Sequence, residues 1–260
     1  MRLQEKISIH FTELTKTDRK ITGQLIEKPE ILIQHSVQEA ANLLEVSPAA
    51  IMRVAKKLKY RGLAEFKQSL EIYQSEMQNK EEKNETHNFS KSVISGFKSQ
   101  LDAIEKSVSE KDLEKIVDLV KKAKVTRALG IGSSGLSAEQ FVYSLLYQDH
   151  YMEAVTSRTK IFYLSRILTA DDVLIIFSVS GNSEAYSEII ERSQKTGAKL
   201  VFITMNHDKK LKEAAEVVVV LPSNITDFSV SHHLQQLDNR FAFYIFSSML
   251  AAYIDNGELE

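Results

Sequence analysis

Two loops rich in glycine and serine constrain the fold of this chain more than any other feature. They are Gly130–Gly135 and Ser178–Ser183, and each follows an apolar strand-like run and opens a helix-like one. Glycine lets the backbone turn tightly, and the first N–H groups of the following helix have no partner within that helix. Because the serine hydroxyls add neutral donors, each loop is suited to an oxyanion such as a phosphate.

Short apolar runs alternate with helix-length segments through the second half of the chain. This alternation predicts a doubly wound α/β fold with right-handed crossovers and a parallel sheet. The carboxyl ends of parallel strands lie at one edge, where open α/β folds bind ligands, so both loops are expected at one site. The predicted sheet has five strands, namely Val125–Ile131, Glu153–Thr156, Asp172–Phe177, Lys199–Thr204 and Glu216–Leu221.

Other interpretations of the loops fit the residues less well. A Walker phosphate loop requires a lysine that neither loop has. The glycines of the first loop do satisfy the spacing of a dinucleotide fingerprint, but no acidic residue ends the next predicted strand. The hydroxyls also suit a terminal phosphate better than a pyrophosphate. That the loops merely connect strands to helices is a further alternative.

The two loops resemble the motifs of the sugar isomerase (SIS) domain, a family that binds phosphosugars, and the resemblance covers about residues 110–255. The second loop meets the usual form of the family motif, Ser-x-Ser-Gly-x-Thr/Ser, in full. The resemblance implies that the ligand is a sugar phosphate and that no cofactor is needed. It places the phosphosugar contacts at Gly132, Ser133, Ser134, Ser178, Ser180, Gly181 and Ser183.

A capped pair of short helices stands in the amino-terminal part of the chain. Ser36 and Glu39 form a capping box before one apolar-periodic helix, and Ser47 with Pro48 starts a second. A tight turn at about Glu45–Ser47 separates them, which is the spacing of a helix-turn-helix. In the second helix, predicted to end at about Lys59, a stripe of apolar residues faces the core, and the residues predicted to face outward are Ala49, Ala50, Met52, Arg53, Lys56 and Lys57.

The charge around this second helix favours DNA. Residues 47–67 contain six basic residues and one acidic residue, whereas the whole chain has a net charge of −2. A local basic patch on a near-neutral protein is typical of contact with a phosphate backbone, although a solvated helix face would carry lysines too. The residues predicted to contact DNA are Ser47, Ala49, Ala50, Met52, Arg53, Lys56 and Lys57, of which Arg53, Lys56 and Lys57 would touch phosphates or base edges.

The segment Phe11–Leu70 resembles the amino-terminal domain of RpiR-type transcriptional regulators, which join this domain to a carboxyl-terminal SIS domain. The resemblance implies a DNA-binding regulator of sugar metabolism that is not an enzyme. It also implies a homodimer or dimer of dimers that binds a double-stranded DNA operator and responds to a phosphosugar. Met52 departs from the family, where a small hydroxyl residue is usual. The residues that carry the likeness are Leu14–Ile21, Val46–Arg53 and Lys57–Leu63.

Composition gives the organisation of the chain. Ser75–Asn88 has one large apolar residue, so it cannot bury an apolar face and is predicted to be a connector. We therefore expect an all-α helix-turn-helix domain over residues 1–77, a linker and connecting helix over 78–109, and the SIS domain over 110–260. The chain has no cysteine, no apolar stretch near the ~20 residues of a membrane span, and a polar, acidic start. These features predict a cytoplasmic protein without membrane contact.

Two further predictions concern the carboxyl-terminal part. An aldose-ketose isomerase is the main alternative function, because SIS domains also occur in such enzymes, and its candidate acids and bases are Glu184, Glu188, His232 and His233. No metal site is expected, although a histidine pair completed by Asp227 or Asp238 is conceivable. The last helix, from about His232 to Asp255, is apolar around most of its circumference and is either a dimer contact or a core helix.

Overall fold

The computed structural model of the chain describes residues 2–78, 89–223 and 240–256. These residues fall into two units. The first contains residues 2–78, 89–99 and Ser223, and the second contains residues 100–222 and 240–256. The predicted linker over 78–109 lies partly outside the described residues, since 79–88 are not among them.

The first unit is helical and has one apolar core. Leu25, Ile51 and Phe66 are completely buried in it, each from a different helix. The described helices of this unit are α1 (Leu3–His10), α2 (Lys16–Glu27), α3 (Glu30–Ile33), α4 (Val37–Leu43), α5 (Pro48–Lys57) and α6 (Leu63–Gln78), with a 3-10 turn over Phe11–Glu13. A further helix, α7 (Phe89–Ser107), runs across the division between the units.

The predicted helix starts are confirmed. The Ser36 N–H donates to Glu39 Oε2 at 2.9 Å, the Glu39 N–H donates to Ser36 Oγ at 3.3 Å, and Ser47 Oγ accepts the N–H of Ala50 at 3.2 Å. The turn between α4 and α5 passes through Glu45 in the left-handed region, at a φ of 55°. The second helix ends at Lys57, two residues before the predicted end, because Lys59 also has a positive φ of 58°.

The second unit is a five-stranded sheet with helices on its faces. All neighbouring strands are parallel, in the order β2-β1-β3-β4-β5, which confirms the predicted doubly wound α/β fold. The strands are β1 (Val125–Gly130), β2 (Glu153–Val155), β3 (Asp172–Ser178), β4 (Lys199–Thr204) and β5 (Val217–Val220). The helices are α8 (Glu110–Lys122), α9 (Ser133–Leu146), α10 (Arg158–Ile167), α11 (Ser187–Thr196), α12 (Lys209–Ala214) and α13 (Arg240–Asn256).

Strand β3 lies at the centre of the sheet, and each of its residues is buried. Phe177 packs against Phe141 of α9 and Phe243 of α13, with ring centroids 5.9 and 5.5 Å apart. On the opposite face Leu174 and Ile176 pack with residues of α10 and α11. Both faces of the sheet are therefore covered. Because side chains on both faces are buried, the strands have continuous apolar sequences.

Several element boundaries differ from the sequence prediction, and among them β1 ends at Gly130 and β3 at Ser178. Strand β2 ends at Val155, and β5 is limited to Val217–Val220. The segment after the second loop begins as a 3-10 turn over Ser183–Tyr186 and becomes α-helical only at Ser187, because Asn182 Oδ1 caps the turn by accepting the Glu184 N–H at 3.0 Å. The predicted start of the last helix lies outside the described residues.

None of the helices in the described residues is both long enough and apolar enough to cross a membrane.

Candidate functional site

The two glycine-serine loops leave the sheet side by side. Gly130, the last residue of β1, is the register partner of Phe177, the residue before the end of β3. The strand order reverses between β1 and β3, because β2 lies on one side of this pair and β4 on the other. Such a reversal opens a crevice at the carboxyl ends of the strands, which is where doubly wound folds bind ligands.

A tyrosine that the sequence analysis did not single out connects the loops. The Tyr186 hydroxyl lies 3.4 Å from the Phe177 carbonyl oxygen, and it also meets the Ser178 side chain and the Ile131 N–H. Burial raises the pKa of Tyr186 to about 12, against the smaller opposing effects of Arg158, Ile131 and Ser178. The phenol is thus a buried, neutral group next to both loops.

The end of strand β4 holds the second loop from the other side. The Asn206 side-chain amide donates to the Ser180 carbonyl oxygen at 2.9 Å, and the Met205 N–H donates to the Val179 carbonyl oxygen at 3.4 Å. Thr204 Oγ1 accepts the Asn206 N–H at 3.2 Å. Sequence reasoning overlooked these residues, although the rule that parallel strands end at one edge would have pointed to them.

Close packing also shapes the first loop. A Cβ on Gly130 would lie 2.3 Å from the Ser134 carbonyl oxygen, so no side chain fits at this position. The first turn of α9 therefore approaches the end of β1 closely. Its leading N–H groups, at Ser133 and Ser134, belong to the helix end that carries the positive pole of the helix dipole.

The predicted phosphosugar residues differ in their access to solvent. Ser134 and Ser178 are buried, with 6% and 7% of their surface exposed, and Gly181 is buried too. Gly132 and Ser133 are exposed, and Ser180 and Ser183 are half-buried. The structure brings both loops to one edge, where Ser133 is the exposed serine of the predicted set and Ser180 and Ser183 are partly exposed.

A cavity of about 260 Å³ opens beside the two loops. Ile131 of the first loop lines it together with Glu184 and Tyr186 of the 3-10 turn. Arg158, at the start of α10, and Glu188 of α11 add charged side chains. Arg158 was not predicted as a site residue, but it follows the carboxyl end of β2 and so reaches the same edge of the sheet.

In the first unit, helix α5 exposes most of the residues predicted to contact DNA. Ala49, Met52, Arg53 and Lys56 are exposed, and Lys57 is half-buried. Ala50 was expected to face outward, and this is wrong. It is 5% exposed and packs in the core with Ile51, because it lies one turn before Val54 on the buried face.

One buried carboxylate pairs with two basic side chains of α5, those of Arg53 and Lys57. Asp18 of α2 is completely buried, and its Oδ1 accepts from Arg53 Nε and Nη2 at 3.1 and 2.9 Å. Its Oδ2 accepts from Lys57 Nζ at 2.6 Å and from the Thr15 hydroxyl at 2.7 Å. Burial alone would raise the pKa of Asp18, but these hydrogen bonds from Lys57, Thr15 and Arg53 hold it well below its usual range.

Several other bases near α5 are also engaged within the protein. Lys59 Nζ lies 3.6 Å from Glu13 Oε2, and Lys67 Nζ donates to the His35 carbonyl oxygen at 2.6 Å. Lys56 has no carboxylate within 4 Å among residues 2–78, 89–223 and 240–256. The positive charge available to a partner is therefore smaller than the sequence count of residues 47–67 indicates.

Comparison with protein families matches both units. Residues 1–77 match the helix-turn-helix domain of the rpiR family, and residues 119–251 match the SIS domain.

The chain belongs to the RpiR family. Both resemblances drawn from the motifs are confirmed by these matches, and so is the order of the two domains.

Individual relatives of this RpiR-family chain are consistent with the family match. An uncharacterized HTH-type transcriptional regulator of Haemophilus influenzae is 26% identical over 224 residues, which are 83% of this chain and 78% of the relative. The HTH-type transcriptional regulator HexR of Escherichia coli is 22% identical over 241 residues, 87% of this chain and 80% of HexR. The structure of the Vibrio vulnificus NanR protein complexed with ManNAc-6P aligns with a TM-score of 0.52 at 16% identity, over 98% of this chain and 91% of NanR, and shares its fold.

His232 and His233 lie outside the described residues, as do Asp227 and Asp238. Within the part of the chain that the structure does describe, the histidine, aspartate and glutamate side chains form no group of three or more that could hold a metal ion. Glu184 and Glu188 are exposed on the cavity beside the loops.

Proposed function

We propose that this chain is a DNA-binding transcriptional regulator of sugar metabolism whose affinity for its operator is modulated by a phosphosugar. The observation that carries the proposal is the meeting of two serine loops at the switch point of the parallel sheet, in a chain whose first unit is a capped helix-turn-helix. The family match and the names of the relatives support it.

The phosphosugar is proposed to bind at the edge formed by the two loops. Ser133, Ser180 and Ser183 would donate hydroxyl hydrogen bonds to the phosphate, together with the leading N–H groups of α9. Ser134 and Ser178 are buried just behind them, and Ser178 also meets Tyr186. The solved structure of NanR complexed with ManNAc-6P supports a sugar monophosphate as the ligand class.

The operator is proposed to bind along the exposed side of α5. Ala49 and Met52 would make apolar contacts in the major groove, while Arg53 and Lys56 would contact bases or phosphates. Ser47 and Lys57 are committed to contacts within the protein, since Ser47 caps α5 and Lys57 is paired with Asp18. Ala50 is buried and would act only by positioning the helix.

DNA binding is tested on duplexes that the wild-type chain selects from a random-sequence library. The double variant Arg53→Ala and Lys56→Ala should weaken binding of the selected duplex at least tenfold at fixed salt. A control variant, Lys122→Ala and Lys195→Ala, removes two exposed lysines from helices of the second unit and should leave affinity unchanged. If the wild-type chain enriches no sequence, or the α5 double variant binds as the wild type does, the regulator assignment is wrong.

Ligand control is tested with a panel of hexose, pentose and amino-sugar phosphates. A ligand that binds the folded state raises its thermal stability, so a thermal-shift screen identifies the effector. The variant Ser178→Ala and Ser180→Ala should abolish both this shift and the effect of the ligand on DNA affinity, while ligand-free DNA binding remains. Ser107→Ala and Ser109→Ala, two exposed serines elsewhere in the second unit, serve as the control.

We assign no catalytic step to this chain. Of the four candidate acids and bases, Glu184 and Glu188 lie within the described residues, and both are exposed to solvent. The relatives of similar length are named as regulators. NMR can follow whether the C2 proton of the bound effector exchanges with solvent deuterium. If this exchange occurs with turnover, the chain is an enzyme and the assignment is wrong.

We also propose that the chain acts as a homodimer. Helix α9 carries large apolar side chains that are exposed in the single chain, with Tyr143 63% and Leu136 52% exposed, and Tyr244 of α13 is 53% exposed. Sedimentation velocity tests this, because Tyr143→Glu with Tyr244→Glu should shift a dimer towards the monomer. A monomeric wild-type chain would contradict it.

A further inference from the structure

One contact in the first unit carries an inference about how DNA sequence is read, which rests on the proposed function. Arg53 approaches Asp18 with one side edge of its guanidinium, because Nε and Nη2 both donate to Asp18 Oδ1. A guanidinium has five N–H donors in a rigid plane. The two N–H groups along its far end, on Nη1 and Nη2, are therefore left for another acceptor.

Arg53 is partly open to solvent despite its pairing with Asp18. Its side chain is 49% exposed, although the carboxylate that holds it is completely buried. It stands on α5 beside the exposed residues Met52 and Lys56. Two parallel N–H donors at the end of an arginine match the O6 and N7 acceptors that guanine presents in the major groove, and this bidentate pair is the commonest specific contact to a base.

Asp18 is itself held firmly, so it can fix the orientation of Arg53. Its second oxygen accepts from the Thr15 N–H, the Thr15 hydroxyl and Lys57 Nζ at 3.0, 2.7 and 2.6 Å. It occupies the first turn of α2, where the helix dipole favours a carboxylate. Its Oδ1 is thus left to accept from Arg53. Because this pairing already fixes the Arg53 side chain, Arg53 loses little rotamer freedom when DNA binds.

We propose that Asp18 is a positioning residue of the DNA interface, which presents the end of the Arg53 guanidinium to a guanine in each half-site of the operator. The base reader is Arg53, and Asp18 acts only through it. Lys56 then supplies non-specific attraction to phosphate, and Lys57 neutralises the buried carboxylate. The opposing interpretation is that the Asp18 cluster only stabilises the packing of α2 on α5.

The experiment uses the full chain, its selected duplex and a scrambled duplex of the same composition, at one salt concentration. Asp18→Asn should weaken binding of the selected duplex by about 5- to 150-fold, the range of a lost bidentate base contact. Binding of the scrambled duplex should be unchanged or tighter, because the substitution removes a negative charge from a DNA-binding unit. A repeated selection with this variant should lose one guanine preference per half-site.

Two further variants separate positioning from stability. Thr15→Val removes a hydrogen bond to Asp18 Oδ2 and the cap of α2, but leaves Oδ1 to Arg53, so it should lower thermal stability and keep the ratio of the two affinities. Arg53→Lys keeps the charge but removes the planar fork, and should lose the same guanine preference as Asp18→Asn. If Asp18→Asn fails to fold, Arg53→Lys still overturns the proposal when it keeps the guanine preference.

The outcomes are distinct. If Asp18→Asn selects DNA as the wild type does, if Arg53→Lys keeps the guanine preference, or if both duplex affinities fall together as stability falls, the positioning role is overturned while the proposed function stands. If the wild-type chain enriches no sequence, the proposed function itself fails.

Discussion

Gly181 of the second serine loop lies directly against Thr204 at the end of β4. A Cβ at position 181 would stand 2.6 Å from Thr204 Oγ1, and Gly181 has a φ of +55°. Both the close approach and the left-handed backbone require glycine here. The hydroxyl that blocks a side chain also accepts the N–H of Asn206, whose amide holds the loop. The conformation of this loop is thus set by the neighbouring strand as well as by its own residues.

Gly181→Ala should therefore damage the phosphosugar site. We expect a loss of stability of about 1 kcal/mol or more from the positive φ alone, and a loss of the ligand-induced thermal shift. Thermal unfolding with and without the effector measures both. Gly62→Ala is the control, because no atom lies within 4 Å of its added Cβ, and it should leave the shift intact. A normal shift for Gly181→Ala would mean that the loop does not bind the ligand.

Tyr186→Phe should loosen the connection between the two loops. The substitution removes the hydroxyl that interacts with the Phe177 carbonyl oxygen, the Ile131 N–H and the Ser178 side chain, so we expect the free energy of unfolding to fall by about 1 kcal/mol. Effector binding should weaken as well. Urea unfolding and ligand titration measure these effects, and Tyr143→Phe, on an exposed tyrosine, should change neither. Equal behaviour of the two variants would contradict the bridging role.

Lys56→Ala should weaken DNA binding without changing sequence preference. A lysine that contacts one phosphate releases about one counterion, so the slope of log affinity against log salt should decrease by about 0.9. Fluorescence anisotropy over a salt series gives this slope. Lys59→Ala is a local comparison, because Lys59 lies 3.6 Å from Glu13, and it should change the slope less. An unaltered slope for Lys56→Ala would exclude a phosphate contact.

Asp172 should make the second unit sensitive to acid. Burial by itself raises the pKa of Asp172, but hydrogen bonds from Thr169 and Arg127 outweigh it and lower the pKa below the ordinary value. A group whose folded pKa is lowered stabilises the fold above its unfolded pKa of about 4, and this contribution is lost as the pH falls through the folded value. The unfolded chain then binds the proton more tightly than the folded chain does.

Asp172→Asn should accordingly cost about 2 kcal/mol of unfolding free energy at pH 7, the scale of hydrogen bonds to a charged group. The difference from the wild type should remain constant down to about pH 5 and shrink below about pH 4. Urea unfolding followed by circular dichroism at several pH values measures it. Asp118→Asn, on an exposed pair with Lys122, should have little effect throughout. A difference that does not shrink at all as the pH falls below about 4 would contradict the assignment.

Local signals in the sequence were sufficient for most of the fold. The capping pairs that start α4 and α5 join residues three apart, so a short window contains both partners. The apolar runs of the sheet and the serine loops after β1 and β3 were found for the same reason. The second loop was predicted to open an α-helix, and the intervening 3-10 turn depends on one side chain, that of Asn182.

The amino-acid sequence by itself determined the two-domain order, the parallel sheet and the place of both serine loops, because period, caps and turn residues act within a few positions of each other. Tertiary structure alone decided that Asp18 meets Arg53, 35 residues away, that Tyr186 joins two loops and that Ala50 is buried. These relationships depend on how helices and strands pack, and hydrophobic periodicity records which face of an element is buried but not which partner covers it.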